Sequence, residues 1–190
     1  MLLPDVTTST RLSGDPLHVL YAGNLGPSQN LRGIRDGLAA SLDKWENLTV
    51  TIVGDGAQRE ELTSVHARLH VHPYVDRAKL AALYRSADAF LIHLADLDVY
   101  RHTVPSKIFE YVAYERPILC GVQGEARAIA FRHADCFAFN SDDGTSLGAA
   151  LDRLCSGDEP DNADEPRAER TEILRSSRGP IWRKVFRSVP

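Results

Sequence analysis

LHVLYAG, residues Leu17 to Gly23, is an unbroken apolar run of strand length closed by a glycine, and its recurrence along the chain decides the fold. Strands that are apolar at consecutive rather than alternate positions belong to a sheet buried on both faces. The run is followed by a turn, NLGPSQN, and by helical spacing through LRGIRDGLAASL. The unit then repeats. LTVTIVGDG (48–56) is the second strand and turn, with AQREELTSVHA expected as its helix, and LHVHPYV (69–75) leads into DRAKLAALYRSA. DAFLIHL (88–94) runs through a polar loop, ADLDVYRH, to a helix in TVPSKIFEY; PILCGV (117–122) precedes GEARAIAFRH, and CFAFN (136–140) precedes DGTSLGAALDRLCSG. This alternation predicts an α/β fold: a doubly wound, Rossmann-like parallel sheet of about six strands, with ligands bound beyond the carboxyl ends of the strands.

The flanks divide the chain further. Residues 1–16 carry turn formers without a period and read as a linker or leading arm, 17–156 as the Rossmann-like domain, and 157–170, acidic and proline-containing, as a flexible link. Residues 171–190 place Ile181, Trp182, Val185 and Phe186 beside Arg183, Lys184 and Arg187, the pattern of a basic amphipathic helical tail. Such a tail suits packing on its own domain, docking on a partner, or peripheral contact with an anionic membrane surface.

Composition narrows the function classes. The 190 residues have ordinary apolar and charged content and a net charge of −4, which argues against a generally basic nucleic-acid binder. Cys120, Cys136 and Cys155 are three in number with no paired spacing, and read as reduced core residues rather than a disulfide frame or metal site. No run approaches the roughly 18 apolar residues of a membrane span, and the N-terminus lacks the regions of a signal peptide, so the expected location is cytoplasmic.

Residues placed just after the strands are the candidate ligand contacts: Gly23, Asn24 and Gly26; Gly54, Asp55 and Gly56; Pro73 and Tyr74; and the long loop before TVPSKIFEYVAYERP (103–117). Glycine turns allow backbone to approach a phosphate, although they also close strands for purely steric reasons. In the last stretch, Pro105 suits a first helical turn, Thr103 or Ser106 can cap it, and Ile108, Phe109, Val112 and Ala113 form an apolar stripe. Ser106, Lys107, Glu110 and Tyr114 then share the other side. A helix N-terminus with Ser106 and Lys107 suits a phosphorylated ligand, and Glu110 suits sugar hydroxyls. The alternative is a solvated face with a Lys107–Glu110 surface pair.

The order YAGNLG, IVGDG, HPYV, LYRSADAFLIHL, TVPSKIFEYVAYERPIL and QGEARAI resembles the C-terminal, donor-binding half of GT-B glycosyltransferases of family 4, over roughly Leu17 to Leu154. The resemblance is nearest to bacterial polysaccharide-biosynthesis enzymes whose donor helix begins Pro-Ser-Lys. It implies that Glu110 binds the ribose hydroxyls of a nucleotide sugar, with UDP as the nucleotide. Pro105, Ser106 and Lys107 then face the diphosphate, Gly23, Asn24 and Gly26 approach the phosphates or the sugar, and Tyr74 and Val75 read the base. It implies no metal and no cofactor beyond the donor substrate, with Lys107 and the helix dipole stabilising the departing diphosphate.

The chain departs from that family's pattern at several places. His102 stands where a sugar-side glutamate is usual and becomes, with Lys107, the candidate catalytic pair. Asn24, Ser28 and Gln29 replace basic residues, Glu115 replaces a turn glycine, and Asp135-Cys136 replaces a glycine-rich turn. The 16 residues before the first strand do not suffice for an acceptor domain. The resemblance therefore implies a separately encoded N-terminal acceptor half or self-association, a fragment of a longer enzyme, or a remnant. Without its acceptor half the chain is expected to be inactive in glycosyl transfer. The competing function is a non-catalytic nucleotide-binding or assembly module. A third, a metal hydrolase using His70, His72, His93 and His102, lacks a carboxylate or cysteine placed to complete its site.

Overall fold

Strand and helix alternate throughout the part of the chain that the computed structural model describes, residues 15–164. In order these are β1 (Leu17–Ala22), α1 (Leu31–Lys44), β2 (Leu48–Val53), α2 (Arg59–Leu62), β3 (Leu69–His72), α3 (Arg77–Ser86) and β4 (Ala89–His93). A 3₁₀ turn (Asp98–His102) leads to α4 (Lys107–Ala113), β5 (Ile118–Gly121), α5 (Gly124–His133), β6 (Cys136–Ala138) and α6 (Gly144–Ser156). The strands form one parallel sheet of six, ordered β3-β2-β1-β4-β5-β6. The chain winds outward from β1 to β3, then returns to lay β4 on the other side of β1. Beside the carboxyl ends of β1 and β4 the strand order reverses, which is where ligands bind in open sheets of this kind.

The continuous apolar runs are buried on both faces, as their pattern requires. One core combines Val19, Tyr21, Val50 and Ile52 with Leu31, Ile34 and Leu38 of α1 and Leu147 and Leu151 of α6. The other combines Leu20, Phe90 and Ile92 with Tyr84 of α3, Ile108, Tyr111 and Val112 of α4, and Ala126 and Ala130 of α5. Trp45 Nε1 and Lys44 Nζ donate to the two oxygens of Asp152, at 2.7 and 2.8 Å, and tie α1 to α6. Asp143 caps α6 by accepting from the Ser146 N–H at 3.0 Å. Cys120, Cys136 and Cys155 are buried and form no disulfide among the described residues.

Local expectations are corrected in three places. The helix after β2 is a single turn, because the chain leaves it at Thr63 in extended backbone and Ser64 takes a left-handed φ of 66°. The α4 stripe is Ile108, Tyr111 and Val112; Phe109 and Ala113 are only partly covered, since the helix turns Tyr111 inward. Neither Thr103 nor Ser106 caps that helix: Ser106 is itself in helical backbone without a side-chain cap, and the Thr103 hydroxyl donates to Val99 O at 3.2 Å.

The first part of the stretch read as a flexible link is packed on the outer edge of β6. Asp161 N–H donates to Cys136 O at 2.8 Å, and the Asp161 and Asn162 side chains accept from the Ala138 and Cys136 N–H groups at 2.6 and 3.1 Å. Edge-strand donors that would otherwise face water are satisfied locally. The amphipathic tail at 171–190 and the arm before residue 15 lie outside the described residues.

Candidate functional site

The position of α4 is fixed by Tyr111. Its hydroxyl accepts from the Ala22 N–H at 2.9 Å, and its ring stacks on Phe90 with centroids 4.5 Å apart, so the helix is pinned to both β1 and β4. One turn earlier, this holds Lys107 at the end of β1. Lys107 Nζ donates to the Tyr21 hydroxyl at 2.7 Å and lies 4.0 Å from the centre of the same ring. Tyr21 in turn donates to Asn24 O at 2.7 Å. An ammonium, a phenol and the first-turn backbone therefore form one chain. Removal from water lowers the Lys107 pKa to about 8, against an opposing pull from Glu110. Burial also pushes the Tyr21 phenol well above its usual range.

Glu110 lies on the same helix, three residues on, but does not form the surface pair with Lys107. Its Oε2 accepts from the Tyr84 hydroxyl of α3 at 2.7 Å. Burial first, then the neighbouring Tyr111 and Glu110, raise the Tyr84 phenol, so it remains a donor to the carboxylate. Lys107 and Glu110 are thus a cation and an anion held apart by separate tyrosines at the reversal point of the sheet.

The glycine turns after β1 and β2 pack on each other. A Cβ on Gly54 would stand 1.8 Å from Gly23 O, and one on Gly56 2.5 Å from the Leu25 carbonyl, so no side chain fits at either. The Gly23 N–H donates to Val53 O at 2.8 Å, the Leu25 N–H to Asp55 O at 2.9 Å and the Gly54 N–H to His72 O at 2.9 Å. Those amides are engaged within the fold, so the steric explanation accounts for Gly54 and Gly56. Asn24 faces solvent, whereas Gly26 is buried beside it. Asp55 accepts from the Tyr74 N–H at 3.0 Å, which fixes the turn after β3 and leaves the Tyr74 ring 60% exposed, with Val75 half-buried. Pro105 is half-buried and Ser106 exposed at the start of α4. His102 is exposed at the end of the 3₁₀ turn.

Tyr21, Tyr84 and Tyr111 were not singled out by sequence, although each is a polar-tipped aromatic in an otherwise aliphatic or helical apolar stripe. Of the four histidines considered for a metal, His70 and His72 are exposed on the edge strand and His93 is enclosed. No group of three or more His, Cys, Asp or Glu able to hold a metal occurs among the described residues. No helix among them is long and apolar enough to cross a membrane.

The model of the glycosyl transferases group 1 family matches residues 16–157. The chain belongs to this family. No curated protein matches it by sequence. Among solved structures, this group 1 domain is similar to the catalytic domain of cholesterol-α-glucosyltransferase from Helicobacter pylori, with a TM-score of 0.58 and 11% identity, covering 85% of this chain and 96% of that one. It is similar to a UDP-forming α,α-trehalose-phosphate synthase from Burkholderia vietnamiensis, with a TM-score of 0.63 and 15% identity, covering 93% of this chain and 45% of that one. It is also similar to Anabaena HepE, solved in complex with UDP and glucose, with a TM-score of 0.57 and 14% identity, covering 92% and 48%. The likeness is one of fold, that of the GT-B glycosyltransferases, and the chain spans under half the length of the last two.

Proposed function

We propose that this domain binds the donor of a glycosyltransferase, a nucleoside diphosphate sugar with UDP as its nucleotide, and acts with an acceptor-binding half to pass the sugar to a glycan or lipid-linked acceptor. The observation that carries the proposal is the placement of Lys107 and Glu110 together on α4 beside the carboxyl end of β1, where the sheet order reverses. Membership in the group 1 family and the UDP complexes or UDP-forming reactions named for its structural neighbours support it.

In this proposal Lys107 leaves the Tyr21 hydroxyl for a diphosphate oxygen and stabilises the charge that develops as the sugar departs. Glu110 accepts from the ribose hydroxyls while Tyr84 holds its other side. Asn24, at the exposed end of the Lys107–Tyr21 chain, meets the phosphates or the sugar, and Tyr74 and Val75 flank the base. His102 lies on the sugar side and is the second candidate for a catalytic role.

Calorimetry with UDP, GDP and ADP tests the proposal. UDP is expected to bind, and Glu110→Gln to weaken it by about 1.5–3 kcal/mol, the size of a hydrogen bond to a charged group. The variant's amide oxygen still accepts from Tyr84, so its melting temperature is expected to stay close to that of the parent. No binding of any of the three at millimolar concentration rejects the donor site, and unchanged UDP affinity in the variant rejects Glu110 as the ribose ligand.

A further inference from the structure

His93 ends β4 with its side chain wholly enclosed, and donor binding as proposed makes no use of it. Its Nδ1 lies 2.6 Å from Gln29 O, in the loop after β1; a carbonyl only accepts, so Nδ1 carries the hydrogen. Its Nε2 lies 3.0 Å from the Asp142 N–H, in the loop after β6; an amide N–H only donates, so Nε2 is bare. The two partners specify one neutral tautomer. Phe139 stacks against the ring at 5.8 Å. Asp142 takes a left-handed φ of 61°, and its carboxylate accepts from Asn30 Nδ2 at 2.9 Å and from the Asp96 N–H at 3.0 Å. Asp96 accepts from Gln123 Nε2, after β5, at 2.6 Å. One imidazole and two carboxylates, those of Asp142 and Asp96, thereby join the loops after β1, β4, β5 and β6 at the end of the sheet where α4 begins.

A proton on Nε2 changes those partners. The Asp142 N–H would then face another donor, while Asp142 Oδ1, 3.4 Å from Nε2, becomes an ionic acceptor. Drawing Oδ1 to the imidazolium takes it from Asn30, which stands before α1 at a left-handed φ of 37°. The charged groups facing His93 are Asp142 directly and Asp96 through it. Enclosure lowers the imidazole pKa below its ordinary value, with the Gln29 carbonyl and then Asp142 opposing it.

We propose that His93 is a positioning residue and a pH-sensitive latch: neutral, it holds the loops after β1, β4 and β6 in register for the donor, and protonated, it transfers Asp142 from Asn30 and loosens that face. Only the identity of what the face binds rests on the proposed function.

NMR of the imidazole nitrogens in the full chain tests the latch without a ligand. The Nδ1–H tautomer is expected at neutral pH, and on acidification the Asp142 amide and Asn30 side-chain signals shift with the midpoint of the His93 ring. The Nε2–H tautomer, or Asp142 and Asn30 signals that ignore His93, overturns the proposal. Binding of UDP-glucose, whose diphosphate keeps its charge in this range, is the second measurement. Its affinity is expected to fall by about tenfold or more, roughly 1.4 kcal/mol, with the His93 midpoint. His93→Asn keeps a donor for Gln29 O and should remove that fall; an unchanged fall overturns the latch. Should that variant not fold, Asp142→Asn keeps the amide, removes the carboxylate and is expected to flatten the profile likewise. If UDP-glucose binds at no pH, the donor proposal fails while the NMR measurement still decides the latch.

Discussion

Lys107 is a residue whose type was legible and whose circumstances were not. Its spacing from Glu110 suggested either a phosphate ligand or a surface pair, but its partner is Tyr21, 86 residues away, and Glu110 is held by Tyr84, 26 residues away. Non-local pairs of this kind leave no trace in local periodicity. The consequence is a pH effect of defined sign. The folded-state pKa is about 8 against 10.5 for an unperturbed lysine, so the unfolded chain holds more protons between these values and stability rises with pH across them. Below pH 8 the full penalty of the buried ammonium is present. Above pH 10 the trend reverses, because Tyr21, Tyr84 and Tyr111 resist ionisation in the fold but not in the unfolded chain. Replacing Lys107 by Met is therefore expected to raise the melting temperature at pH 7 and to remove the rise between pH 8 and 9.5, as denaturation followed by circular dichroism would record. In the parent, UDP affinity is expected to decline above pH 8 as the ammonium is lost; a pH-independent affinity would remove Lys107 from the phosphate site. Glu115 makes a second prediction at this scale. It stands in the turn before β5 and takes a left-handed φ of 52°. Glu115→Gly relieves that conformation and is expected to stabilise the domain by about 1 kcal/mol.

At the scale of elements, most of the sheet was legible because strands buried on both faces carry no alternation, and Leu17–Ala22, Leu48–Val53 and Ala89–His93 all read as continuous apolar runs. The glycine turns were equally visible, but not their reason: Gly54 and Gly56 are demanded by the neighbouring turn, a contact between segments about thirty residues apart. The helix after β2 was overestimated because Glu60, Glu61 and Leu62 favour helix, while the chain leaves helical backbone at Thr63 and turns left-handed at Ser64. The edge of β6 was missed for a compositional reason, since DEPDN looks like a solvated link and its hydrogen bonds lie along a strand rather than within itself. Asn162 is buried there and also donates to Phe131 O and Ala134 O at 2.5 and 2.8 Å. Asn162→Ala strands the Cys136 N–H and two carbonyls without these partners, and is expected to lower stability by about 2–3 kcal/mol. Urea denaturation would measure the loss. A change below half a kcal/mol would mean that water replaces the side chain at that edge.

For the whole molecule, α4, the first turn and the loop after β4 all converge at the carboxyl ends of β1 and β4, and the proposed function makes this face one wall of the site. In the proposed function Lys107 and Glu110 grip a nucleotide diphosphate, whereas transfer also requires an acceptor hydroxyl held in line with the anomeric carbon. Fixing two reactants in attack geometry is worth roughly 7–11 kcal/mol of barrier, which a donor site alone does not provide. The domain on its own is therefore expected to bind UDP weakly and to transfer no sugar to added acceptors, even at saturating UDP-sugar. Addition of a matching acceptor-binding half is expected to restore transfer and to tighten UDP binding, because the second wall closes over the donor. The two effects belong together. Restored affinity without turnover would favour a binding module that has kept the fold but lost the reaction, with Asn24, Ser28 and Gln29 as the first positions to examine. Efficient transfer by the isolated chain would show that this one sheet end orients both substrates, and the division of labour proposed for the two halves would be wrong.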